Sequence, residues 1–263
     1  MKQMEDSLEI GNTMFRSRLF VGTGKYPNNK TMVEAIRASE TAMVTVAVRR
    51  IDLDRTKEEG ILFHLDPEEF FLLPNTAGCH NVKDALRLGC CAIGFTIYPG
   101  SEYQYDMIEE FKEISFEASQ YGLPSVLWSY PRGGSISKEG ETALDIISYA
   151  AHIAAQLGAH IIKVKPPSTN IENKDLKKLY EQNENDLSRL SNRIDHVKRC
   201  AFNYKRIVVF SGGNSKNTDD LLNEIKEIKS GGGNGSIIGR NTFQRPKKEA
   251  ISLLKKIIEI YKN

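Results

Sequence analysis

Short apolar runs alternate along the chain with stretches whose apolar residues recur at helical spacing. The runs are 19–22 (LFVG), 43–48 (MVTVAV), 70–73 (FFLL), 92–97 (AIGFTI), 125–130 (SVLWSY), 160–164 (HIIKV), 207–210 (IVVF) and 236–238 (SII). They are brief, rich in β-branched residues and nearly continuous in apolar character. That pattern predicts parallel strands buried on both faces. Between them, 31–39, 82–88, 107–121, 143–157, 219–229 and 247–261 place apolar residues at intervals of three and four, which predicts helices with one buried face. Repeated strand–helix units predict an α/β fold with a parallel sheet. Eight strands in 263 residues favour one closed (β/α)8 TIM barrel, a single domain over 1–263, above an open doubly wound sheet.

One stretch departs from the alternation. Residues 166–192 follow the sixth run after Pro166-Pro167, are densely charged, and carry helical spacing only at 175–181. The plain reading is a solvated surface excursion; the functional one is a lid over the barrel mouth.

Composition narrows the function classes. With 40% hydrophobic and 27% charged residues the chain is of ordinary globular type, long enough to bury a core without staples. A net charge of +2 without a Lys/Arg stripe argues against a nucleic-acid partner. No apolar run approaches the roughly 20 residues that span a bilayer, so no membrane partner is expected. The polar N-terminus lacks a signal-peptide core, and Cys79, Cys90, Cys91 and Cys200 form no CxxC pair, so reduced thiols and a cytoplasmic setting are expected. The five histidines show no metal-ligand spacing and read as structural or surface groups; no metal or other cofactor is expected. Whether the chain is a monomer or a homo-oligomer stays open.

In barrels the chemistry sits where strands end at their C-terminal side. The sixth run ends in IIKVKPP, where Lys163 and Lys165, two apart, share one face of an extended strand. Mutual repulsion and burial both disfavour the ammonium form, and a neutral amine attacks carbonyls. The alternative is that one or both lysines point to solvent between helices. The fifth run ends in LWSYPRGG, where Tyr130 could exchange a proton beside a substrate and Trp128 shares its face; the alternative is ordinary aromatic core before a turn. The last two runs end in Ser211-Gly212-Gly213 and Gly239-Arg240. Exposed backbone amides, close approach allowed by glycine, and one guanidinium suit a phosphate; turn geometry alone is the alternative. Gly22-Thr23-Gly24-Lys25 has neither the spacing of a P-loop nor that of GxGxxG.

From about Val82 onward, the stretches DALRLGCCAIGFTIYPGSEY, VLWSYPRGG, ETALDIISYAAHIAAQLGAHIIKVK, VVFSGGNSK and GSIIGRNTFQRP resemble class I fructose-bisphosphate aldolases of the archaeal and bacterial type. The resemblance implies a Schiff base on Lys163, proton transfer by Tyr130 with Trp128 beside it, and a substrate phosphate at Ser211, Gly212, Gly239 and Arg240. Gly213 and Lys165 join them as neighbouring binding groups. It implies a small-molecule sugar phosphate as partner and no cofactor. Residues 1 to about 81, through FRSRLFVGTGKYPNNKTMVEAIRASETAMVTVAVRRIDL and FLLPNTAGC, resemble the opening of thiazole synthase. Three strands of one kind and five of the other sum to one hybrid barrel. The aldolase family's strand-one acid and strand-three lysine have no counterparts in GTGK or LLPNTAGC, and the thiazole synthase lysine would lie beyond the join. The expectation is a class I aldolase. The alternatives are a hybrid impaired in catalysis that keeps fold and phosphate binding and, behind it, thiazole synthase activity.

Overall fold

Leu8, Ile10 and Phe15 are buried while Glu9 and Met14 face out, and Gly11 turns the chain at φ +60. This alternation makes a small antiparallel hairpin, Leu8–Ile10 with Thr13–Phe15, that precedes the parallel strands. The structure, a computed structural model, describes residues 7–41, 43–47, 58, 60–75, 82–182, 186–212 and 216–263. The parallel strands are β1 Leu19–Gly22, β2 Met43–Ala47, β3 Phe71–Asn75, β4 Ile93–Ile97, β5 Ser125–Ser129, β6 Ile161–Val164, β7 Ile207–Phe210 and β8 Ser236–Ile238. The helices are α1 Asn29–Ala38, α2 Val82–Arg87, α3 Gln104–Gln120, α4 Leu144–Gln156, α5 Lys174–Glu181, α6 Leu190–Cys200, α7 Thr218–Ser230, α8 Arg240–Phe243 and α9 Lys247–Lys262.

Two compact units divide these elements. The first takes residues up to Gly94, then Asn214–Ile225 and Gly235–Asn263. Its strands follow the order β8-β1-β2-β3 and reach the start of β4. The eighth strand pairs with the first in parallel, Ser236 to Ile238 against Leu19 to Val21, and β3 meets β4 through Asn75 and Gly94. Asn28 caps α1 by accepting from the Thr31 amide at 2.8 Å, and Met32, Val33, Ala35 and Ile36 form its buried stripe. Arg37 in its last turn forks onto the Glu69 carboxylate with two bonds of 2.9 Å.

The second unit holds Phe95–Gly213 and Lys226–Asn234, with strand order β4-β5-β6-β7. Every residue of β5 and β6 is buried, as continuous apolar runs require. The polar exceptions are bonded: Ser125 Oγ meets Ser115 Oγ and His160 Nδ1 at 3.1 Å, and Ser129 Oγ donates to the Ala150 carbonyl at 2.9 Å. Ala150, Ala151, Ala154 and Ala155 give α4 a smooth buried face, and α6 packs against this helix.

The excursion after β6 lies at the surface, with no buried residue among 168–182 and 186–190, and is pinned at several points. The buried Asp145 carboxylate accepts from the Glu172 and Asn173 amides at 3.0 and 2.9 Å. Buried Arg193 of α6 donates to the carbonyls of Pro167, Leu187 and Ser188 at 2.9, 2.7 and 2.6 Å. Helix α5, between these anchors, buries no residue. Phe70 is not in a strand: its amide closes a turn onto Asp66 at 2.9 Å, and β3 runs on to Asn75. Val48 and the join near residues 80–82, apart from Val82, lie outside the described residues.

Candidate active site

β6 is an all-buried strand, and Lys163 is its one charged residue, with 8% of its surface exposed. Its neighbours in register are Trp128 of β5 and Val209 of β7. The Lys163 Nζ lies 5.9 Å from the centre of the Trp128 ring and 6.0 Å from that of Tyr130. Trp128 is itself buried, and Tyr130 follows β5 directly, its amide donating to the Ile97 carbonyl at 3.1 Å. A buried primary amine on β6 thus lies near two aromatic rings supplied by β5 and the residue that follows it.

Lys165 stands beside the same tyrosine. Gly212 has φ +119, and a methyl group there would come within 3.5 Å of Lys165 Cγ and 3.7 Å of Tyr130 Oη. Those contacts are ordinary, so it is the backbone angle that calls for glycine here. The Lys165 ammonium is bonded to Glu141 Oε2 at 2.9 Å. Lys138 holds the other carboxylate oxygen at 2.8 Å, and these two ammonium groups, Lys138 first, keep the Glu141 carboxyl below the usual carboxylate range. Sequence reading had not marked Glu141. It is a carboxylate in the loop after WSYPRGG, and nothing in its local spacing announces a bond to residue 165.

The glycine-rich strand ends divide. The Ser211 amide donates to the Val164 carbonyl at 3.1 Å, so it serves the sheet ladder. Gly213 lies outside the described residues. Gly239 and Arg240 belong to the first unit. There the Gly239 carbonyl accepts from Thr242 and Phe243 at 2.8 and 3.2 Å to start α8, and Arg240 is exposed. Arg245 ties the segment before α7 to α8 by donating to Lys216 O, Thr218 Oγ1 and Asn241 O at 2.6, 2.9 and 2.7 Å. Lys163, Tyr130, Trp128, Lys165, Ser211 and Gly212 are all in the second unit.

The histidines serve structure. His152 bonds the Cys200 carbonyl at 2.9 Å, His64 the Glu58 carbonyl at 2.8 Å, and His196 the Tyr180 hydroxyl at 3.3 Å. His160 Nδ1 accepts from the Ser125 amide at 3.1 Å. His80 and Cys79 lie outside the described residues. Cys90, Cys91 and Cys200 are free thiols, and burial pushes Cys91 up to about 12. Among the described residues no three His, Cys, Asp or Glu side chains group to hold a metal, and no helix is long and apolar enough to cross a membrane. A cavity of about 810 Å³ elsewhere in the second unit is lined by residues such as Leu144, Ile171, Lys177, Tyr180 and Leu187, and contains none of the residues nominated above.

Against this geometry the comparisons with known proteins can be weighed. A family model described as DeoC/LacD family aldolase matches residues 6–245. The class 1 fructose-bisphosphate aldolase of Thermoproteus tenax is 34% identical over 187 residues, covering 71% of this chain and 60% of that protein. The thiazole synthase of Thermodesulfovibrio yellowstonii is 51% identical over 84 residues, covering 32% of this chain and 33% of that protein. The chain therefore spans between a third and three fifths of the length of these relatives. A solved archaeal fructose-1,6-bisphosphate aldolase, with its catalytic Lys covalently bound to the carbinolamine intermediate of the substrate, aligns over 94% of both chains with a TM-score of 0.71 at 24% identity. That likeness shows the fold, a TIM barrel.

Proposed function

Because the chain belongs to the DeoC/LacD family of aldolases, we propose that it is a Schiff-base (class I) aldolase acting on phosphorylated sugars, with cleavage and condensation of fructose bisphosphate as its reaction. The observation that carries this reading is the Lys163 amine, buried on β6 between the Trp128 and Tyr130 rings. The fructose-bisphosphate aldolase similarity over 187 residues supports it.

In this reading the neutral Lys163 amine adds to the ketose carbonyl to give a carbinolamine. Loss of water leaves an iminium. The bond between the carbon next to the iminium and the hydroxyl-bearing carbon beyond it then breaks; its electron pair forms the enamine double bond and neutralises the iminium nitrogen, while the hydroxyl of the departing carbon releases its proton to solvent and becomes the aldehyde carbonyl. The resulting enamine takes a proton at carbon, and water releases the second product from Lys163. Tyr130, beside the amine, is the group that gives and takes the proton at carbon. Trp128 walls the amine from water. Lys165, the Ser211 hydroxyl and the amides of Gly212 and Gly213 are the binding groups for one anionic end, together with Gly239 and Arg240. The reaction requires no metal in this scheme, since the iminium is the electron sink. We take residues 1–263 as one domain, thiazole-synthase-like in strands 1–3 and aldolase-like in strands 4–8, in a cytoplasmic setting; its assembly state is not part of the proposal.

The test is borohydride reduction in the presence of dihydroxyacetone phosphate, followed by peptide mass analysis. The expected result is one adduct, on Lys163, absent from Lys163→Ala. Equal labelling of Lys163→Ala would sink the mechanism. Arg240→Ala should weaken phosphate binding by about 1.5–3 kcal/mol, the scale of a hydrogen bond to a charged group, when titrated by calorimetry. Unaltered binding would remove Arg240 from the site.

A further inference from the structure

Resting on the aldolase reading, we propose that Glu141 is a positioning residue, which fixes the ammonium of Lys165, a side chain whose stem passes Gly212, so that the site is preset for the anionic group of the substrate. The contact is between two nearly enclosed side chains: Lys165 Nζ and Glu141 Oε2 are 2.9 Å apart, with 16% and 15% of their side chains exposed. Lys138, on the other oxygen, is 82% exposed and therefore a solvated bystander. The Lys165 stem passes Gly212, at the position where Tyr130 Oη also approaches.

Glu141 can serve as a fixed point because its own backbone is held. It sits in the one-turn helix Gly140–Thr142, and its amide donates to the Ser137 carbonyl at 3.2 Å. Ser137 is bonded through its amide and hydroxyl to the Glu172 carboxylate at 2.7 and 2.9 Å, and its Oγ accepts from the Gly140 amide at 2.9 Å. The Thr142 carbonyl accepts from the Ser168 amide and hydroxyl at 2.7 and 3.0 Å. The loop after β5 is thus laced to the excursion after β6, and the carboxylate projects from that lacing onto Lys165.

A lysine side chain has four rotatable bonds, and fixing them on binding opposes affinity. A lysine already fixed binds an anion more tightly. The ammonium has three N–H groups, so one bond to Glu141 leaves others to turn to a phosphate oxygen. The sign is decisive. If Glu141 acted only by its charge, removing a carboxylate would strengthen anion binding. If it positions Lys165, removing it weakens that binding.

The experiment compares reduction-trapped adduct formed with dihydroxyacetone phosphate and with unphosphorylated dihydroxyacetone, in the full chain. Glu141→Ala should raise half-saturation for the phosphorylated ketone on the order of 5- to 20-fold. It should leave both the half-saturation for dihydroxyacetone and the limiting rate of Lys163 modification as in wild type. Glu141→Gln, which keeps an acceptor but no charge, should fall between, and it stands in should the alanine variant not fold. In a Lys165→Ala background, Glu141→Ala should cost no further affinity, since Glu141 acts only through Lys165. Lys138→Ala should stay within about 2-fold of wild type, as an exposed pair does. Unchanged or tighter binding of the phosphorylated ketone, or an equal loss with both ketones, would overturn the assignment. Should wild type trap neither ketone, the aldolase reading falls on its own. Calorimetric titration with inorganic phosphate then still decides on Glu141, which requires weaker binding in Glu141→Ala and is refuted by equal or tighter binding.

Discussion

At the scale of single residues, the buried polar groups of the central strands have different neighbours. Ser125 and Ser129 bond to groups that stitch strands to helices. The Lys163 amine has the Trp128 and Tyr130 rings within about 6 Å, and our proposal makes it the group that meets the substrate. Tyr130→Phe keeps the ring that borders the amine and removes only the hydroxyl. It should leave trapping on Lys163 intact and slow turnover by about 10²- to 10⁴-fold, the usual worth of a general acid or base. If turnover is unchanged under single-turnover conditions, another group moves the proton. His160 gives a prediction about stability. Burial first, and the Arg206 charge second, hold its pKa below the usual imidazole value of 6.5, and the neutral ring accepts at Nδ1 from the Ser125 amide. A group with a lowered folded pKa stabilises fully above its unfolded value, and that contribution fades as pH falls below about 6.5 toward the folded value. The melting temperature should therefore drop from about pH 7.5 to about pH 5, and His160→Gln, which can still accept, should show a shallower drop. Equal slopes in the two proteins would assign the acid sensitivity elsewhere.

At the scale of elements, β1, β7 and β8 match their apolar runs residue for residue because burial on both faces writes itself into continuous hydrophobic sequence. Where other forces set the outcome, the pattern misled or fell silent. Pro74 lies inside β3 and interrupts the apolar run 70–73, and proline has no amide for the ladder, so the pattern predicts a strand ending at Leu73. The helix α6 was missed because its buried face mixes Ile194 and Val197 with Ser191, Arg193 and Lys198. Those polar residues are buried by bonding to carbonyls and loops, which no hydrophobic period reveals. The hairpin before β1 was legible in principle, since LEI and TMF flank a Gly-Asn turn. The same contrast holds for the site. Strand periodicity nominates Lys163, Trp128 and Tyr130 without choosing between site and core, and the family resemblance makes the choice, whereas the Glu141–Lys165 bond depends on two loops meeting. Arg193 makes a test at this scale. Replaced by Leu, it would leave the carbonyls of Pro167, Leu187 and Ser188 without their donors. The cost should be about 2–4 kcal/mol in urea unfolding, with Arg193→Lys recovering part of it. A loss under about 0.5 kcal/mol would mean that water replaces the guanidinium and the excursion needs no clamp.

At the scale of the whole molecule, two divisions of the chain do not coincide. The join we propose between thiazole-synthase-like and aldolase-like parts lies near residue 81, whereas the two compact units part inside β4, between Gly94 and Phe95. Helix α7 is divided as well, between Ile225 and Lys226. The chain passes from one unit to the other at residues 94–95, 213–214, 225–226 and 234–235. Were the molecule two domains joined by inheritance from two families, the boundary should fall in an exposed linker crossed once. Here it falls within a strand and a helix and the chain crosses it four times. Across the proposed join, Asn75 and Gly94 pair in register within the first unit. The expected outcome is a single unfolding transition in scanning calorimetry, with the van't Hoff enthalpy close to the calorimetric one, as for cooperative single domains. Tyrosine and tryptophan signals separate the cases further: Trp128 is in the second unit, whereas Tyr26 and Tyr261 are in the first. Coincident melting by Trp128 fluorescence and by calorimetry would support one domain over residues 1–263. Two resolved transitions, with Trp128 reporting only one, would instead show that the halves fold independently and that the hybrid is an assembly of two domains.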